Sequence, residues 1–264
     1  TQLGRAALAS SLPPDAALFV FSDLQTAARS LVLDTELHML YLVTPVNFTV
    51  WSGVDWHSLH IIFTKLAEEE RRVARLVGVS ERFLLQRMQL NRVTDAEQRL
   101  LQIHFRFFSA LALFELINEF PIRDVSVKYN INRGALQTLQ HQSATYAAMV
   151  VAFCSRLGWS YLRSLLDGFA SRLAFGVRAE LTELVRVDGI DGARARAFHE
   201  SGICSLSDLA QSSLRDVMKV LSNVVPFDST AANDGRGEWL FGGARMPLEE
   251  AALEVRRRAA ACLR

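Results

Sequence analysis

No Gly-x-x-x-x-Gly-Lys-Ser/Thr phosphate loop occurs in this chain, and no acidic motif stands beside one to hold Mg²⁺. Hydrolysis of ATP by the chain alone is therefore not expected. Only three cysteines are present, Cys154, Cys204 and Cys262, odd in number and far apart, which excludes a disulfide framework or a paired thiolate metal site and suits a reducing compartment. A formal net charge of +1 leaves no global basic field to attract nucleic acid, so such contact must come from local clusters. The longest unbroken apolar run, Ala147 to Cys154, falls far short of the roughly 20 residues of a membrane helix, so no membrane partner is expected. His57 and His60 have a spacing that could hold zinc, but no nearby Cys or His completes a ligand set, and no metal site is expected. No strand-rich region, low-complexity tract or long repeat breaks the pattern, and no Ser, His and acid combination has local support.

What is present is helix after helix. With 264 residues, half of them apolar, the chain can build one large core or two ordinary ones. It opens without an initiator Met or a signal peptide and reads as a piece of something longer. Pro13-Pro14 stops the opening segment, and Leu18, Phe21, Leu24, Ala28 and Leu31 then recur at helical spacing. A helix with Leu37, Leu40 and Tyr41 ends at Thr44-Pro45, and residues 46–53 read as a loop. Asp55 caps a segment carrying Trp56, Leu59, Ile62, Phe63 and Leu66. Glu68 to Val77 is a helix ended by Gly78, and Ser80 starts the next. Asp95 to Phe120 gives the strongest signal, a core helix with a broad apolar band.

Arg133 to Leu157 reads as one long helix in two halves. Its first half carries Arg133, Gln137, Thr138, Gln140, His141, Gln142 and Thr145, while its second, Ala147 to Phe153, is apolar nearly all round and is expected to be buried. The polar stripe either lines a groove for bases and sugar hydroxyls or is simply a half-exposed helix end. Trp159 to Leu173 follows as a single helix.

Leu184 to Ala210 holds the turn Gly189-Ile190-Asp191-Gly192, then Ala193, Ala195, Ala197 and Phe198 on a helix that runs to Gly202. Two helices joined by a glycine turn resemble a helix-hairpin-helix, whose backbone amides can hold a phosphate without reading sequence. Gly189, Ile190 and Gly192 would carry that contact, with Gly192 intolerant of a Cβ. Arg194 and Arg196, about 200° apart around a helix, cannot both face one phosphate, and Arg194 is nearer the helix start. The plainer alternative is a tight turn between packed helices. An enzyme reading, a glycosylase aspartate at Asp208, is better explained by capping after Ser205 or Ser207. The tail holds a polar, glycine-containing loop, Asp228 to Gly237, and a last helix from Pro247 with Glu249 and Glu250 early and Arg256, Arg257 and Arg258 late.

Taken together, Thr1-Gln2-Leu3-Gly4-Arg5-Ala6, Leu37-His38-Met39-Leu40-Tyr41-Leu42-Val43-Thr44-Pro45, Asn132-Arg133-Gly134, Arg156-Leu157-Gly158-Trp159 and the glycine turn resemble the C-terminal region of superfamily-two DNA repair helicases. The resemblance is nearest to the polymerase-theta branch, with helicase Q and the archaeal repair helicases next. It implies an all-α fold: residues 1–13 finish a preceding winged-helix domain, 14–179 form a helical bundle, the ratchet, and 180–264 form a small helix-hairpin-helix domain. It also implies single-stranded DNA as a partner, touched by the long helix, where Tyr146 lies near the position of an archaeal stacking Trp. ATP and Mg²⁺ would be held by helicase motor domains of the same parent chain, with no cofactor in this segment and a nuclear location. The rival from another class is a protein-interaction scaffold.

Overall fold

Thr1 starts the first helix by accepting the Gly4 amide on its hydroxyl at 3.2 Å, and α1 (Gln2–Ser10) stops where Ser11 turns left-handed at φ 59°. The computed structural model describes residues 1–30, 35–46, 54–89, 94, 97–224, 238–241 and 244–263, with backbone alone over 238–241 and 244–245. The expected loops over residues 47–53 and 228–237, and the positions Leu31 and Asp95, lie outside the described residues. Two units divide the chain, Thr1–Gly176 and Val177–Arg264, each around its own apolar cluster.

In the first unit, α2 (Pro14–Ser30) turns Ala16, Ala17, Val20, Leu24 and Ala27 inward. This corrects the expected stripe, since Leu18 is 62% exposed. Alanines carry little weight in a hydrophobic periodicity, yet their small side chains let helices approach closely. α3 (Leu37–Val43) is buried at every position. Asp55 caps α4 (Trp56–Thr64) by accepting the amides of His57 and Ser58. Gly78, at φ +94°, separates α5 (Glu68–Val77) from α6 (Glu81–Gln89). α7 (Gln98–Ile117) is long and apolar enough to cross a membrane by length and composition, which a search for unbroken apolar runs misses because Arg106 and His104 interrupt it. It serves as a core helix, with Phe107, Phe108, Leu111, Ala112 and Leu113 buried. α8 (Ile122–Tyr129) leads to α9 (Arg133–Leu157), started by the Asn132 side chain, which accepts the Ala135 amide at 2.8 Å, and ended by Gly158 at φ +77°. The single helix expected after Trp159 is two, α10 (Ser160–Leu166) and α11 (Phe169–Phe175), divided at Asp167-Gly168, where glycine's poor helix propensity acts. α1, α10 and α11 pack against α9, and α3 packs against both α7 and α9.

Arg106 was hidden inside the apolar band of α7. Its side chain is buried, and it donates from Nε to the Thr44 carbonyl at 2.8 Å, from Nη2 to the Leu42 carbonyl at 3.1 Å and from Nη1 to Asp23 at 2.5 Å. These bonds satisfy carbonyls at the end of α3 that the helix itself leaves unpaired. The guanidinium also lies 4.3 Å from the Tyr41 ring centre.

His38, buried on α3, has its pKa held down at about 4 by burial, against the opposing pull of the Asp23 carboxylate. The unfolded chain, with His38 near 6.5, takes up the proton first, so this contribution is fully present above that pH and is lost as pH falls toward 4. The loss is on the order of 3 kcal/mol. Urea titrations of wild type and His38→Gln should show the wild type losing more stability over that interval, and parallel losses would contradict the assignment.

In the second unit, two 3₁₀ turns, Ala179–Leu181 and Leu184–Arg186, precede α12 (Gly192–Glu200). Then come α13 (Leu206–Gln211), α14 (Leu214–Asn223), an antiparallel pair β1 (Glu238–Phe241) and β2 (Ala244–Pro247) with Trp239 opposite Met246, and α15 (Leu248–Cys262). Four-residue strands are too short for an alternation to show in sequence, and this pair was not expected. The fold is otherwise all-α, as expected. α15 lays Ala251, Ala252, Val255 and Ala259 against α13 and α14.

Candidate nucleic-acid interface

The exposed edge of α9 climbs through Arg133, Gln137, Thr138, His141, Gln142 and Thr145, while Leu136, Leu139, Ser143, Ala144, Ala147 and Val150 face inward. Steps of four residues advance about 6 Å along a helix, so Arg133, Gln137 and His141 form a regular row. Two hydroxyls are already engaged by their own helix: Thr138 donates to the Gly134 carbonyl at 2.8 Å and Thr145 to that of His141 at 3.4 Å.

Parts of the expected stripe and apolar half behave differently. Gln140 turns inward, and its Nε2 donates to the Leu173 carbonyl at 2.8 Å, capping the end of α11. Ala148 is exposed and Met149 half-buried, so the second half of the helix is not enclosed all round. Tyr146 is the main correction. It lies on the same inward side as Ser143 and Ala147, is 8% exposed, and offers no ring face on which a base could stack. Among the described residues its hydroxyl has no hydrogen-bond partner, and its pKa is raised, chiefly by burial and against the pull of Arg106.

In the second unit the turn forms as the glycines suggested, though only one of them needs to be glycine for its backbone. Gly189 sits at φ +94°, whereas Gly192 is simply the first residue of α12. Asp191 is the cap and accepts the Arg194 amide at 2.8 Å. Ile190 is buried and its amide donates to the Val187 carbonyl at 2.9 Å, so it anchors the turn and has no amide left for a ligand. The Gly192 and Ala193 amides fall in the first turn of α12, where no helical carbonyl lies behind them. Arg194, expected to reach outward, is half-buried and bonds through Nη1 to the Gly189 carbonyl, and burial lowers its pKa against the attraction of Asp191. Arg196 is also half-buried.

One participant escaped the sequence reading. Arg258 of α15 donates from Nη1 to both the carbonyl, at 3.2 Å, and the carboxylate of Asp188, immediately before the turn. Its Nε donates to Glu254 at 2.8 Å. The arginine run was visible, but its partner lies 70 positions away, beyond any local pattern.

Asp208 accepts the Ser205 amide at 3.0 Å and the Cys204 amide at 3.2 Å, and the Ser205 hydroxyl and these amides hold its carboxyl below the usual range. It is therefore the third residue of α13, closing a capping box with the N-cap Ser205. His60 pairs with Glu81 at 3.0 Å, and among the described residues no cluster of three His, Cys, Asp or Glu could hold a metal.

The chain is thus a helical bundle with a solvent-facing polar edge on α9, followed by a separate unit that carries a glycine turn. A family model described as the helical domain of the DNA polymerase Q helicase-like region matches residues 14–173, and the chain belongs to that family. It is 59% identical to DNA polymerase theta of Caenorhabditis elegans over 98% of its own length, covering 16% of that protein. Against DNA polymerase theta of Mus musculus the identity is 40% over 97% of the chain, covering 10% of the relative. Helicase POLQ-like of Homo sapiens shares 29% over 85% of the chain and is covered to 20%. The chain thus spans a small part of each relative.

Proposed function

We propose that this chain is the strand-guiding part of an ATP-dependent 3′-to-5′ DNA repair helicase, binding single-stranded DNA without sequence preference and without chemistry of its own. Motor domains of the same parent chain would supply ATP and Mg²⁺ sites, and the setting would be nuclear. The observation that carries this reading is the exposed row Arg133, Gln137 and His141 on α9, in a chain of the polymerase-theta helicase-like family. Gln137 and His141 bring hydrogen-bonding groups to the row beside the single guanidinium of Arg133, which suits sliding contact with bases and sugars better than a fixed ionic grip. The amides at the start of α12 add a place for a backbone phosphate. With a net charge of only +1, binding should be weak and should decline as salt rises, because phosphate contacts release counterions.

The test is Gln137→Ala with His141→Ala. Both side chains are exposed, so unfolding free energy should change by no more than about 0.5 kcal/mol. Unwinding by the full-length parent protein should nevertheless fall. Normal unwinding would make the row idle, and binding to single strands that is insensitive to salt would favour a protein-docking scaffold instead.

A further inference from the structure

A turn that holds an anion through its amides works only if the neighbouring carbonyl oxygens, which carry partial negative charge, point elsewhere. In this turn two consecutive carbonyls are each taken by a guanidinium. Arg194, from within α12, bonds the Gly189 carbonyl, and Arg258, from α15, bonds that of Asp188. Asp188 poses a second problem, because its carboxylate is a full negative charge beside the turn and its side chain is 83% exposed. Arg258 bonds that carboxylate with the same nitrogen.

Arg258 itself has little freedom. Its side chain is 26% exposed, Glu254 holds its Nε, and the adjacent residues Val255 and Ala259 are locked in the core under α15. Glu254 stays ionised, its pKa held down at about 2 by hydrogen bonds from Arg257 and then Arg258. The brace is therefore anchored at one end in the last helix and grips the turn at the other.

We propose that Arg258 is a positioning residue for the glycine turn: it keeps both the carbonyl and the carboxylate of Asp188 drawn toward α15, so that an approaching phosphate meets amides and not oxygens. This rests on the reading that the turn holds nucleic-acid backbone. Arg258 acts through Asp188 and makes no phosphate contact itself.

The experiment uses the whole chain and a fluorescein-labelled oligothymidine strand, with anisotropy titrations across a salt series. Arg258→Gln should raise the Kd about fivefold, equivalent to about 1 kcal/mol. The slope of log Kd against log salt should stay unchanged, because no phosphate contact is removed. Adding Asp188→Asn, which deletes the carboxylate that Arg258 restrains, should recover part of the loss, a rescue that general unfolding would not show. Asp188→Asn alone removes the negative charge while leaving Arg258 the backbone carbonyl and an amide oxygen to hold, and should bind at least as tightly as wild type. A slope reduced by about 0.7 in Arg258→Gln would mean a direct phosphate contact and overturn the positioning role, as would wild-type affinity or the absence of rescue. Gly189→Val separates the two levels, since φ +94° is strained for valine and the turn must distort. If that variant binds like wild type, the turn is not on the DNA surface and the functional reading fails first. If it weakens binding while Arg258→Gln does not, only the positioning role falls.

Discussion

Replacing Arg106 by methionine is expected to cost about 3–5 kcal/mol of stability, among the largest losses a single change in the first unit could cause. Methionine keeps the unbranched apolar stem of arginine as far as the position of Nε, so the change is confined to the guanidinium end. What disappears is the donor set. The Leu42 and Thr44 carbonyls lose their partners at the end of a helix buried at every position, and Asp23, partly buried, is left without its counter-charge. The Tyr41 ring also loses the cation resting on it. Asp23→Asn should cost less, because the guanidinium would keep both carbonyls and an amide oxygen. Urea unfolding of the two variants decides the matter: a loss below about 1 kcal/mol for Arg106→Met would show the site relaxing to admit water.

The second large effect is expected at Phe198. This ring is fully buried on α12 and packs in the smaller core, so Phe198→Ala should cost about 3–5 kcal/mol. A loss of that size is comparable to the whole stability of many small units. The second unit should then open, and the glycine turn, carried on the same helix, should lose its geometry. Hydrogen exchange of residues 192–200 should approach that of an unstructured chain, with single-strand binding falling alongside. Retained protection there would mean that α14 and α15 hold α12 without its largest anchor.

The helix ends could be read from the sequence because each is a local event. Asp55 before Trp56 and Gly78 after Val77 mark themselves, Ser205 is one of two serines offered for α13, and Asn132 and Gly158, passed over as signals, close α9 in the same way within four residues. The bounds of α9 came out as expected for that reason. Long-range choices could not be read so directly. Arg106 finds its partners 62 to 83 positions away, and nothing near it distinguishes a buried arginine from one that interrupts an apolar face. Tyr146 went wrong through helical phase: one residue beyond exposed Thr145, it turns about 100° and enters the core. The glycine turn lay between these cases. Its residues announced themselves, but the directions of Arg194 and Ile190 depended on carbonyls and a core that only the folded unit supplies.

Gln140 carries a different consequence. Its amide caps α11, and a Cβ built on Gly176 would lie 2.8 Å from that Nε2, at a backbone φ of +61°. Residue 176 is thus closed to side chains twice over, by conformation and by an occupant that belongs to another helix. The two positions are linked in one direction: a side chain at 176 would have to push the Gln140 amide off the Leu173 carbonyl, so that change also uncaps α11, whereas a shorter residue at 140 would uncap α11 and leave Gly176 only its conformational constraint.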